Sequence, residues 1–290
     1  MRLQPTHEFV SAPDGLKLHY AQWGDRLAPG APVVCLPGLA RTTEDFGPLA
    51  EALANGGTPR RVLALDYRGR GRSEYDRDWK NYDVRIENDD ILAVLDAAEV
   101  ARAIFVGTSR GGLHAMTLAA VRPTLIRATV LNDIGAVVEP LGLLRIKGYV
   151  GKLPAPRTWD EAVTIAKSVM SAHFTGLSDA DWRAYAHMTF AEKDGRLAAR
   201  YDPKLARTLE AIGPDMPRIE LWPQFEALAQ RPVLVVRGEH SDILSNETFE
   251  AMQRRSAACE GYVAPGQGHA PLLIDPQSIG RILEFVEKAN

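Results

Sequence analysis

The chain has 290 residues, 46% of them hydrophobic and 24% charged, so it can bury a substantial core and is not indicated to be disordered. A formal net charge of −3, with no basic run and no heptad pattern, gives no broad field for nucleic acid. The start, MRLQPTHEFVSAPDG, has no apolar secretory core, no later segment is long and apolar enough to span a bilayer, and the two cysteines, Cys35 and Cys259, are too few for a disulfide framework or metal cluster. The expectation is a soluble cytoplasmic protein, without a nucleic-acid or membrane partner, that acts on a small molecule.

In chain order, HEFVSAP and LKLHYAQW flank Asp14-Gly15, a strong hairpin signal that predicts an antiparallel pair at the front. Short runs rich in branched residues then predict strands over 32–38, 61–67, 103–109, 127–133, 231–239 and, more weakly, 260–265. Helical patterns fall between them over 44–54, 84–98, 111–121, 246–257 and 276–288. The alternation is that of an α/β protein with a mostly parallel sheet covered on both faces. From residue 136 to 225 no convincing strand is found. The stretch is dense in tryptophan, proline and helical patterns, and is expected to be a helical insertion over the sheet's carboxyl edge. The domains read as a core of residues 1–135 and 226–290 and a cap of residues 136–225.

One predicted strand ends abruptly, in IFVGTSRGGLHAM. Gly107-Thr108-Ser109-Arg110-Gly111 is a G-x-S-x-G pattern between a strand and a helix, a sharp turn that holds a serine hydroxyl out where a base can reach it. The glycines permit close backbone approach, and the amide of Arg110 points toward the space where an oxyanion develops. Of the seven histidines, His269 in GQGHAP follows the last strand and lies in a glycine-flanked loop that can reach Ser109. Two carboxylates compete to orient it: Asp242 in GEHSDIL and Asp133 in VLNDIG, each at the carboxyl end of a predicted strand.

With a serine, a carboxylate and a histidine in that order, the chain resembles the α/β-hydrolase family over nearly its whole length. CLPGLART is similar to the family's loop after the first parallel strand, LDYRGRGRSEY to an arginine- and glycine-rich turn of lidded members, and GEHSDIL and GQGHAP to the acid and histidine loops. The resemblance implies an eight-stranded sheet with a helical cap, a Ser109, Asp242 and His269 triad, and oxyanion donors from the amides of Leu39 and Arg110. It implies no metal and no organic cofactor. One departure is Leu-Pro-Gly in the first loop, where His-Gly is common. Related epoxide hydrolases and dehalogenases carry an aspartate where this chain has Ser109, so acyl transfer to water is expected, with esters and lactones as the default. Carbon–carbon hydrolysis of vinylogous diketones and cofactor-free perhydrolysis use the same elbow, and a non-catalytic small-molecule receptor is the reading from another class. The Arg110 side chain is expected in a local structural pair rather than on substrate. Trp159, Trp182, Tyr185, Met188 and Phe190 are candidates for a substrate pocket or for a small core of the insertion.

Overall fold

The computed structural model describes residues 3–289; Met1, Arg2 and Asn290, at the ends of the expected core, lie outside the described residues. The elements run in chain order as β1 (Thr6–Ser11), β2 (Lys17–Trp23), β3 (Gly30–Leu36), α1 (Gly47–Ala54), β4 (Arg60–Asp66), α2 (Val84–Ala97), β5 (Ala103–Thr108), α3 (Arg110–Val121) and β6 (Ile126–Asn132). Next come β7 (Val137–Val138), α4 (Pro140–Tyr149), α5 (Trp159–Met170), α6 (Asp179–Thr189), β8 (Phe190–Lys193), β9 (Arg196–Ala199), β10 (Ile219–Glu220) and α7 (Trp222–Leu228). The chain closes with β11 (Val233–Gly238), α8 (Asn246–Arg255), β12 (Cys259–Ala264) and α9 (Pro276–Lys288).

The main sheet has eight strands in the order β1-β2-β4-β3-β5-β6-β11-β12. β2 runs antiparallel to both β1 and β4, and the pairings from β4 through β12 are parallel. A strand with helices on both faces must be apolar on both, and β3 and β5 show it. Val34, Leu36 and Phe105 face the layer of α2 and α3, while Val33, Cys35, Ile104 and Val106 face the layer of α1 and α9. These side chains are fully buried, and burial of each is worth roughly 1.5–3 kcal/mol. The six parallel strands and five helices read from the sequence are all present, as is the front hairpin.

The segment between β6 and β11 leaves the core through a neck, where Val138 of β7 pairs with Ile219 of β10. Beyond it, α5 and α6 pack together over two small apolar clusters. The segment is not wholly helical. β8 and β9 form a hairpin around Asp194-Gly195, both at positive φ, a turn matched to the twist of paired strands. Asp-Gly was the available signal, but strands of four residues, with one buried position each, carry too little alternation to be read. At the far end, α7 spans the expected boundary at residue 225. Its Phe225 and Leu228 are buried in the main core, and the helix packs on α3.

Candidate active site

The turn from β5 into α3 holds Ser109 at φ 51° and ψ −111°, a backbone conformation that costs a non-glycine residue about 1–3 kcal/mol. Its neighbours explain how the turn is enforced. A Cβ on Gly107 would stand 2.5 Å from the carbonyl carbon of Gly111, and one on Gly111 would stand 2.0 Å from the carbonyl oxygen of Leu36. Only glycine lets strand, turn and helix approach so closely. The Ser109 amide donates to the Asn132 carbonyl at the end of β6, at 2.9 Å. The Asn132 side chain donates onward to Thr108 Oγ1 at 3.0 Å and to the Pro271 carbonyl at 2.9 Å. That amide therefore ties the serine turn to the loop that carries the histidine.

Ser109 Oγ lies 2.9 Å from His269 Nε2, and His269 Nδ1 lies 2.8 Å from Asp133 Oδ2. The structure thus brings together Ser109 and His269 as the sequence suggested, but sets Asp133 on the imidazole in place of Asp242. Asp133 follows β6 with φ 55°, a left-handed turn that aspartate tolerates and that aims its carboxylate toward the imidazole. Fully buried, it also accepts from the Gly238 amide and from Ser241 Oγ, each at 2.6 Å. A buried carboxylate with three donors is fixed in place and solvated by the protein.

Asp242 is held elsewhere. Arg145 of α4 grips it in a two-point pair, Nε to Oδ2 at 2.5 Å and Nη2 to Oδ1 at 2.8 Å. Burial would raise the Asp242 carboxyl, but this guanidinium holds it below its ordinary value. What the GEHSDIL loop gives to the site is therefore Ser241 and the Gly238 amide, both bound to Asp133. Ser241 directly precedes Asp242, and the acid is the stronger signal of the two in the sequence.

The other expected residues divide. Arg110 begins α3, so its amide belongs to the first turn, where N–H groups lack partners within the helix. Its side chain forms the expected local pair, Nε to Glu87 Oε2 at 2.7 Å, with Nη2 on the Tyr82 carbonyl at 3.1 Å. Leu39 follows Gly38, at which a Cβ would stand 3.9 Å from the Ser109 Cβ, so this loop runs beside the serine. The Leu39 carbonyl accepts from Arg70 Nε at 2.9 Å, and Arg70 Nη1 donates to Glu87 Oε1 at 2.6 Å. Glu87 of α2, which no sequence motif singles out, therefore fastens both the Leu39 loop and the first residue of α3. Burial would raise the Glu87 carboxyl, but Arg110 and Arg70 beside it hold it well below the usual range.

A cavity of about 100 Å³ lies over Ser109 and His269, walled by Ala166, Met170, Phe174, Tyr185, Met188 and Leu272 among others. Tyr185 and Met188 are thus placed as pocket residues, whereas Trp159 and Trp182 are outside its lining. Trp159 lies against His187 with ring centroids 3.8 Å apart and planes tilted by 31°, and Trp182 meets Tyr185 edge-on at 6.0 Å, so both serve the packing of the inserted helices, as does the fully buried Phe190. At the rim, Arg41 is engaged on both sides, by Asp45 through two 2.7 Å bonds and by Thr189 Oγ1 at 2.8 Å. Among the described residues no group of three or more His, Cys, Asp or Glu is arranged to hold a metal ion, and no helix is long and apolar enough to cross a membrane.

Comparison with known proteins agrees with this architecture. The model of the alpha/beta hydrolase family matches residues 33–279. Over 297 aligned residues the chain is 34% identical to the 3-hydroxybutyrate-oligomer hydrolase of Cupriavidus necator, covering 98% of this chain and 99% of that one. It is 26% identical to an sn-1-specific diacylglycerol lipase of Xenopus tropicalis, covering 84% and 74%. The crystal structure of an alpha/beta hydrolase from Novosphingobium aromaticivorans, 38% identical, superposes with a TM-score of 0.91 over 99% of both chains.

Proposed function

The chain belongs to the α/β-hydrolase family and is a hydrolase, and from that premise we propose that it cleaves a carboxylic ester through Ser109, His269 and Asp133. The observation that carries the reading is the continuous relay, 2.9 Å from Ser109 Oγ to His269 Nε2 and 2.8 Å from His269 Nδ1 to Asp133, at the floor of an apolar cavity. His269 takes the proton as Ser109 Oγ attacks the carbonyl carbon, and Asp133 holds the ring and stabilises its charged form. The oxyanion is met by the amides of Leu39 and Arg110. When the carbon–oxygen bond breaks, His269 Nε2 gives the proton to the departing alkoxide. A water then repeats the sequence on the acyl-enzyme and frees the acid. Every proton taken is returned, and the steps call on no other group.

The segment of residues 136–225 acts in this reading as a cap that shapes the site without supplying reacting groups, since it contributes Tyr185 and Met188 to the wall and none of the relay. Short hydroxyalkanoate oligomers are the first substrates to try, because a relative matched over its whole length is named for hydrolysing 3-hydroxybutyrate oligomers. The test combines labelling by a fluorophosphonate with turnover of p-nitrophenyl esters and of these oligomers. Ser109→Ala should lose both labelling and turnover, the latter by about 10³-fold or more. Turnover that survives this substitution in a folded protein would refute the assignment.

A further inference from the structure

Ser109 stands between two cavities. Besides the one above His269, a second of about 530 Å³ opens on the other flank, lined by Leu113, Met116, Leu143, Leu221, Arg110 and Gln224 among others. Leu39, Ser109 and Ile146 border both, while among the described residues His269 borders only the first. This asymmetry has a chemical meaning if Ser109 attacks an ester as proposed above. The proton from Ser109 Oγ must reach the departing oxygen through His269 Nε2, so the departing alcohol lies on the His269 side. The acyl chain, extending from the same carbonyl carbon, is directed to the other side.

We infer that the 530 Å³ cavity seats the acyl portion of the substrate and that Gln224 recognises a hydroxyl group on it. The lining is mostly apolar, with Leu113, Met116, Leu143 and Leu221 beside Trp79 and Tyr82, which suits a chain of several carbons. Gln224 lines the same cavity, and its Oε1 is buried and accepts no hydrogen bond from the protein, so a donor carried by a ligand would satisfy it. A hydroxyl both donates and accepts, so it satisfies a side-chain amide in either orientation. A carboxylate fits less well, because the Arg110 guanidinium is already bound to Glu87 and to the Tyr82 carbonyl, and Lys80 sits at the exposed rim. The substrate class is therefore an ester whose acyl side is a hydroxylated aliphatic chain.

The experiment uses p-nitrophenyl acetate, butyrate, 3-hydroxybutyrate and hexanoate, which share one leaving group. Leu143→Trp, which fills the second cavity, should lower the ratio of kcat/KM for hexanoate over acetate by about tenfold or more, and Leu143→Ala should raise it. Gln224→Leu should lower the ratio for 3-hydroxybutyrate over butyrate by about tenfold, the worth of one hydrogen bond. Each ratio compares two substrates on one preparation, so any loss of folded protein cancels. An acyl ratio that both Leu143 variants leave unmoved would overturn the seating. An unchanged hydroxyl ratio in Gln224→Leu would overturn the role of that residue. Failure of the ester reading itself looks different, since the wild-type protein would then turn over none of the four.

Discussion

A histidine held between a serine hydroxyl and a buried carboxylate is committed to one tautomer, with its proton on the nitrogen that faces the carboxylate. Asp133→Asn keeps the size of that side chain but removes its charge, so the imidazole loses both its orientation and its counter-charge. The expected result is a fall in kcat of about 10³–10⁴-fold with the fold retained. Asp242→Asn tests the competing carboxylate in the same assay. It leaves Arg145 of α4 with a weakened partner in a partly buried setting, and should cost about 1–3 kcal/mol of stability, read as a lower Tm, with kcat reduced far less than by Asp133→Asn. A greater loss of kcat in Asp242→Asn would return the acid to the later loop. The choice between these two was open in the sequence because aspartates after parallel strands look alike in composition. It is decided by backbone: the positive φ of Asp133 turns its carboxylate to the ring, and the approach of α4 brings Arg145 to Asp242.

At the scale of elements, the serine turn is a packing problem solved by glycine. Gly111→Ala would force a methyl group to within 2.0 Å of the Leu36 carbonyl oxygen, so β3 and α3 must separate. The expected cost is about 3 kcal/mol or more, measured by denaturant unfolding, together with lost activity from a displaced Ser109. Gly280→Ala in α9 is the matched comparison. No heavy atom beyond its own helix backbone and chain neighbours lies within 4 Å of the added carbon there, and the helical position should gain about 0.5–1 kcal/mol. If both substitutions behaved alike, the turn would owe nothing to steric exclusion. The regular elements were legible because the branched runs and helical periods express burial on both faces of the sheet. The β8 and β9 hairpin is not legible in the sequence because a pair of four-residue strands, each with one buried position, leaves no pattern.

For the molecule as a whole, the buried charges around Glu87 set a pH dependence of stability. Glu87 faces the guanidiniums of Arg70 and Arg110, and His114 Nε2 lies 3.1 Å from it. Burial pushes the His114 imidazole below its ordinary value, against the pull of Glu87, and both groups therefore bind protons more readily in the unfolded chain than in the folded one. Stability then rises with pH wherever that difference holds. The contribution of His114 is present above about pH 6.5 and that of Glu87 above about pH 4.3, each fading as pH falls further. Tm should accordingly drop from about pH 7 to about pH 4, and His114→Gln should shrink the part of the drop between about pH 7 and pH 5. A Tm that climbs on acidification over that range would contradict the sign.

The sequence alone determined the succession of strands and helices, the place of the long insertion, the serine turn and the histidine loop. These are local matters: periodicity, branched runs and glycine spacing act within a dozen residues and are written where they operate. Which carboxylate meets His269, what Ser241 and Glu87 hold in place, which side chains of the insertion face a cavity, and that Ser109 lies between two of them were decided only by tertiary structure. Each depends on residues far apart in the chain, such as Asp133 and His269 or Tyr185 and Ser109, whose meeting is set by how strands stack and helices close over them. Distance along the chain carries no record of that closure, and so it had to be seen in the fold.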